Sequence, residues 1–198
     1  MAVFSLVALL TGCAGTETTP DEASYSRGDL VRFVTLAPQA ADWGAWREHE
    51  KLPPVQREDL ATYSPTHESQ GVLADAQEKA GFDVSRTGTW LAGDSKASSF
   101  ATLFASADGA RDANAAAEEF AHAWFADVER REVREVQPDG LGDDAWGVRG
   151  GRAGAMEFVE LGWRQGNMLL GVYLSCADCA AELEPAAGAW AEAIAAKV

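Results

Sequence analysis

Two cysteines three positions apart, Cys176 and Cys179, have the spacing in this chain closest to a known chemistry. In Cys176-Ala177-Asp178-Cys179 they close a strand-like run and open a helix-like one, the context in which paired thiols exchange electrons with other thiols. Against that use, a thioredoxin-type sheet needs strands after its redox helix, where this sequence reads as one helix to Val198, and Asp178 between the sulfurs disfavours a thiolate. The pair is expected to form a structural disulfide, with a redox-active dithiol as the second reading. Zinc would need two further ligands, and the three histidines offer no ligand spacing. His49-Glu50 lacks the second histidine of a zinc-protease helix, and His122 sits four residues after Glu118, where a solvated i,i+4 pair is expected. Gly93-Asp94-Ser95-Lys96-Ala97 has the outline of a nucleophile elbow, but it falls between two strand-like runs, not at the strand-to-helix turn that exposes a reactive serine. Asp139, Asp143 and Asp144 carry oxygens suited to calcium at a spacing unlike an EF-hand loop, so a structural turn is expected there. No catalytic residue, metal or cofactor is assigned, and the chain is expected not to be an enzyme.

The elements that must carry these residues read as an α+β domain. Gly71–Lys79 is a short helix closed by Gly81, and Val84–Leu91 and Ser99–Ser106 are strands joined by a polar loop over Ala92–Ser98. In the second of these strands Phe100, Thr102 and Phe104 alternate with Ala101, Leu103 and Ala105, so both faces carry apolar residues. A long helix runs from about Ala107 to Val128, capped by Ser106 or Asp108, with Ala110, Ala113, Ala117, Phe120, Trp124 and Val128 as its apolar stripe. Val133–Val136 and Trp146–Val148 are short strands, and Met156–Arg164 with Asn167–Leu174 forms a hairpin about Gln165-Gly166. The terminal helix is expected from Glu184-Pro185, with Ala187, Trp190, Ala191 and Ile194 facing inward. Phe100–Ala110 (FATLFASADGA) and Leu170–Ala180 (LGVYLSCADCA) share the order strand, Ser, Ala-Asp, helix, the echo of a ββα unit. An antiparallel sheet with helices packed on one face is the expected architecture.

The N-terminus bears on location. Val3–Leu10 is an apolar run of eight residues, within the length of a signal-peptide core and far short of a bilayer span. It ends in Leu10-Thr11-Gly12-Cys13, which resembles the lipobox of bacterial lipoproteins, although only Met1-Ala2 stand where a basic n-region is the rule. The resemblance implies cleavage before Cys13, lipidation of that cysteine, and a protein held at the extracytoplasmic face of the cell membrane. Residues 1–12 are then a signal peptide, 13–28 a lipidated cysteine with a polar, Thr- and Ser-rich tether, and 29–198 one globular domain. Val136–Trp146 contains Gly140-Leu-Gly-Asp-Asp-Ala-Trp146, which resembles a turn ahead of a strand in small secreted lipoproteins and extracytoplasmic sensor domains of high-GC Gram-positive bacteria.

Charge narrows the partners. A net charge of −15 with no Lys/Arg cluster argues against nucleic acid and against electrostatic adhesion to anionic lipid, leaving the lipid anchor as the membrane contact. Pro38–His67 carries Trp43, Trp46 and Tyr63 among prolines with little periodicity. These aromatics either fold back as a lid over the sheet or present anchors to a small-molecule or envelope-protein ligand. The expected function is a non-catalytic, membrane-tethered, extracytoplasmic binding protein. An extracytoplasmic thiol-disulfide enzyme using Cys176 and Cys179 is the alternative.

Overall fold

The computed structural model describes residues 23–39, 45–49, 53–57, 68–128, 132–142, 144–151, 156–177 and 179–197. Among these residues four helices, α1 (Leu30–Val34), α2 (Glu68–Lys79), α3 (Ala107–Ala123) and α4 (Ala180–Ala195), flank one eight-stranded antiparallel sheet. Its strands are β1 (Arg47–Glu48), β2 (Val55–Gln56), β3 (Phe82–Ala92), β4 (Ser95–Phe104), β5 (Val133–Glu135), β6 (Trp146–Gly150), β7 (Glu157–Gln165) and β8 (Met168–Cys176). Their order is β1-β3-β4-β8-β7-β6-β5, with β2 also pairing β3. None of the described helices is long and apolar enough to cross a membrane.

The α+β class and the antiparallel sheet are as expected, while the helices occupy both faces. Leu170, Val172 and Leu174 of β8 share a core with Leu183, Ala187 and Trp190 of α4 and with Leu30 and Phe33 of α1. Leu169 of the same strand belongs to a second core with Phe104, Phe158 and the Ala110, Ala113, Ala117 and Ala121 stripe of α3. Successive strand residues point to opposite sides, so α3 and α4 lie across the sheet from each other. The cause is composition: β7 and β8 are buried along nearly their whole length, and a strand apolar on both faces needs cover on both. The two ββα units are present in that order along the chain, and their strands β4 and β8 are neighbours at the centre of the sheet. Phe104 of the first unit faces α3 and its aligned partner Leu174 faces α4, so each unit directs the matching residue toward its own helix.

Local chemistry sets the element ends. Ser106 Oγ accepts from Gly109 N at 3.0 Å, capping α3. A tight turn with Gly166 at φ +54° joins β7 to β8, as the hairpin pattern requires. The connection from β3 to β4 is only Gly93-Asp94, so the polar loop over Ala92–Ser98 is mostly strand, because Ala92↔Ser95 and Leu91↔Lys96 continue the ladder. Pro185 lies inside α4, which starts at Ala180, several residues before the expected Glu184-Pro185, because the chain turns out of β8 within the short Cys176–Cys179 link. In α3 the buried stripe runs through Ala121 to Phe125, and Phe120 and Trp124 sit half-buried on its flank with ring centroids 5.7 Å apart. Alanines let the helix approach the sheet closely, and the bulky rings cannot share that seam. On the α3 face, Gly162 and Gly171 are cross-strand partners that leave room for the rings of Trp146 and Phe100 to lie against the backbone.

Candidate functional site

The structure disperses the residues that sequence singled out. Cys176 ends β8 in the α4-side core, Cys179 is the half-buried N-cap residue of α4, and the two form a disulfide with Cα atoms 5.9 Å apart. Glu157, the cross-strand partner of Cys176, accepts from Arg149 Nη2 at 2.8 Å, and Arg149 Nη1 donates to Glu184 of α4 at 2.7 Å. Arg134 of β5 also reaches Glu184. Burial pulls the Arg149 guanidinium pKa down, but its two carboxylate partners more than offset this and hold it above its ordinary value. The arrangement ties the start of α4 to β5, β6 and β7, and Arg134, Arg149 and Glu157 border a polar cleft of about 270 Å³.

The acidic turn has a structural role. Asp144 Oδ2 accepts from Arg164 Nε at 2.8 Å, and the Asp144 carbonyl accepts from Asn114 Nδ2 at 2.6 Å. Trp146 Nε1 in turn donates to Asn114 Oδ1 at 2.9 Å. Leu141 and Ala145 are buried in the α4-side core and Trp146 in the α3-side core, so this turn passes from one face of the sheet to the other. Asp139 is exposed, and Asp143 lies outside the described residues. Ser95 begins a strand in a hairpin, not a strand-to-helix elbow. His49 is exposed and extends the β1 ladder through its backbone N–H to Thr89 O at 2.8 Å, and His122 is half-buried near the end of α3.

Of the three candidate binding aromatics, Trp46 is half-buried and packs against the α4-side core, as a lid residue does. Trp43 and Tyr63 lie outside the described residues, as does Cys13. Residues 23–28, the end of the expected tether, are docked as a strap. Tyr25 N donates to Asn167 Oδ1 at 2.7 Å, and Asn167 Nδ2 returns bonds to Tyr25 O at 3.3 Å and Phe104 O at 3.0 Å. Farther along, Arg27 Nε donates to Asp83 Oδ2 at 2.8 Å and Nη1 to Gln56 Oε1 at 3.2 Å. The guanidinium bond holds the Asp83 carboxyl below its ordinary range.

Two features had no sequence signal strong enough to find them. The first is a groove of about 330 Å³ where α2 and α3 meet the β2–β3 edge. Val55, Leu73, Ala74, Phe82 and Phe120 form its apolar wall, and Gln70, Gln77 and Ser85 its polar points. Volume and lining fall in the range of small-ligand sites, which are mostly apolar with a few orienting polar groups. The second is Glu160, which lies on the α3 face of β7 with Val148 and Tyr173 as cross-strand neighbours. Phe125, in a π-helical turn (Trp124–Val128) that continues α3, stacks on Phe158 at 3.8 Å and lies 6.2 Å from Tyr173. Burial beside this aromatic stack pushes the Glu160 carboxyl up to about 7. Among the described residues it has no hydrogen-bond or ion-pair partner.

No protein-family model and no curated protein sequence matches the chain. In fold it is similar to the extracellular domain of PknH from Mycobacterium tuberculosis, with a TM-score of 0.55 at 12% identity, covering 89% of this chain and 97% of that one. The likeness is one of fold.

Proposed function

We propose that this protein is a non-catalytic, lipid-anchored, extracytoplasmic domain that binds a small uncharged apolar molecule in the groove between α2, α3 and the β2–β3 edge. The observation that carries the reading is the groove itself, with five apolar and three neutral polar residues along its walls. Such a lining rewards burial of apolar surface at roughly 25 cal/mol per Å² and offers a charged ligand no counter-ion. Placement outside the cytoplasm is supported by the lipobox-like Leu10–Cys13, by a disulfide of the kind oxidising compartments favour, and by the fold likeness to an extracellular domain. Titration of the full chain with the neutral dye Nile red tests the site. A saturable one-to-one rise in fluorescence is expected, and Ala74→Trp, which fills the groove, should weaken it by about tenfold or more. Equal affinity in a normally melting Ala74→Trp protein would reject the groove.

A second reading is favoured by one observation. Cys179 is half-buried, not sealed, at the N-terminus of α4, where peptide dipoles favour a thiolate. That reading makes the protein a thiol-disulfide enzyme, exchanging its Cys176–Cys179 disulfide with a protein dithiol. A reduction potential below about −300 mV marks a resistant structural bridge and rules the exchange out.

A further inference from the structure

We infer that the groove takes an acyl chain of an uncharged lipid drawn from the membrane to which the chain is tied. This rests on the groove being the binding site and on Cys13 being the anchor. The strap supplies the geometry. It enters at the β7–β8 turn, where a Cβ on Gly166 would strike the carbonyl of Ala23, and Asn167 then clasps Tyr25 on both backbone groups. It leaves at the β2–β3 edge, where Arg27 bonds Gln56 and Asp83. Gln56 and Asp83 adjoin the groove residues Val55 and Phe82 in the chain, so strap and groove meet the β2–β3 edge at the same end of the sheet, the strap on the α4 face and the groove on the α3 face. Cys13 lies ten chain steps before Ala23, a reach of at most about 35 Å, less than the roughly 40 Å diameter of a domain of this size. An anchored Cys13 therefore keeps this end of the sheet toward the bilayer and the Cys176–Cys179 end away from it.

Chemistry selects the occupant. No charged side chain lines the groove among the described residues, and the protein carries −15, so an anionic headgroup is repelled where an aliphatic chain is sheltered. A volume near 330 Å³ is the low end for ligand sites and suits a single chain. Val55, one of the large apolar side chains that remain exposed, is on the groove wall.

The test uses the lipidated full chain in phosphatidylcholine vesicles doped with a diacylglycerol bearing a diazirine in its acyl chain. After illumination, adducts are mapped by peptide mass spectrometry. Adducts are expected to concentrate on residues 70–79 and 82–85, and to fall about tenfold in Ala74→Trp and in the isosteric Gln77→Glu, which places a charge in the groove. Asn167→Ala, which unclasps the strap, should reduce adducts while leaving the Nile red affinity unchanged. Adducts spread over the surface, or unchanged in both groove variants, overturn the inference. If Nile red still binds and responds to Ala74→Trp in that case, the groove reading survives and only the membrane source fails. If neither probe responds, both fall.

Discussion

Replacing Glu160 by glutamine turns one side chain into a measurement of how the α3 face is held. The carboxyl is raised from 4.5 to about 7 by burial. Between those values the folded chain holds a proton that the unfolded chain has released, so the group's contribution to stability is fully present below about 4.5 and is lost as pH rises through 7. At about 1.36 kcal/mol per pKa unit, ionising Glu160 costs the folded state about 3 kcal/mol above pH 7, an upper value because the residue keeps partial contact with water. Glutamine preserves shape and cannot ionise. The Glu160→Gln protein should therefore melt about 6–12 °C above the wild type at pH 8 and within a few degrees of it at pH 4.5, using 2–4 °C per kcal/mol for a chain of this length. Circular-dichroism melts of both proteins at matched ionic strength give the difference directly, and the other carboxylates cancel between them. A melting difference that stays flat from pH 4.5 to 8 would refute the buried, partnerless carboxyl.

Two further outcomes follow from the hydrogen-bond and covalent ties. Asn114→Ala leaves the Trp146 indole N–H and the Asp144 carbonyl without their bonds at a buried seam, which should cost about 2–3 kcal/mol and lower the melting point accordingly; a change under about 1 °C would mean that the turn is held by Arg164 alone. The double substitution Cys176→Ser, Cys179→Ser opens a loop of only four residues, so loop-closure entropy gives a loss of about 2 kcal/mol, read as a lower urea midpoint at an unchanged slope. An unchanged midpoint would show that the Arg149, Glu157 and Glu184 ion pairs alone fix the start of α4.

What sequence pattern revealed was whatever neighbours in the chain decide among themselves. The β7–β8 hairpin was legible because Gly166 stands between two apolar runs, and the start of α3 because Ser106 is a good cap. The start of α4 was not: Pro185 is a good first-turn residue, but the disulfide sets the turn earlier. β1 and β2 are two-residue strands with no periodicity of their own, placed by the free edge of β3 at Trp90–Leu91 and Val84–Ser85. The second helical layer was half-visible. Alternating Phe100, Thr102, Phe104 with Ala101, Leu103 showed two apolar faces on β4, and two apolar faces ask for helices on both sides. The groove was out of reach because Val55, Leu73, Phe82 and Phe120 come from four separate stretches whose approach only the tertiary packing specifies. Glu160 did leave a trace as an acidic residue in the apolar run Phe158–Trp163, though an alternating strand could equally have turned it to water.

The two ends of the sheet are built differently, and this bears on how a tethered binding domain can work. At the end away from the strap, a disulfide and the Arg134, Arg149, Glu157 and Glu184 ion pairs bind α4 to β5, β6, β7 and β8. Toward the strap the ties are polar side-chain bonds, Asn167 to Tyr25 and Arg27 to Asp83, while α2 meets α3 and β3 along the groove wall. A mostly apolar contact can part to admit a ligand at the cost of a modest area, whereas parting the far end would break the half-buried Arg149 pairs with Glu157 and Glu184 and strain against the disulfide. Hydrogen exchange should show the order. Amides of α2 are expected to exchange well before those of α4 and to slow when Nile red is bound; equal protection of the two helices would remove the asymmetry on which the groove's accessibility depends.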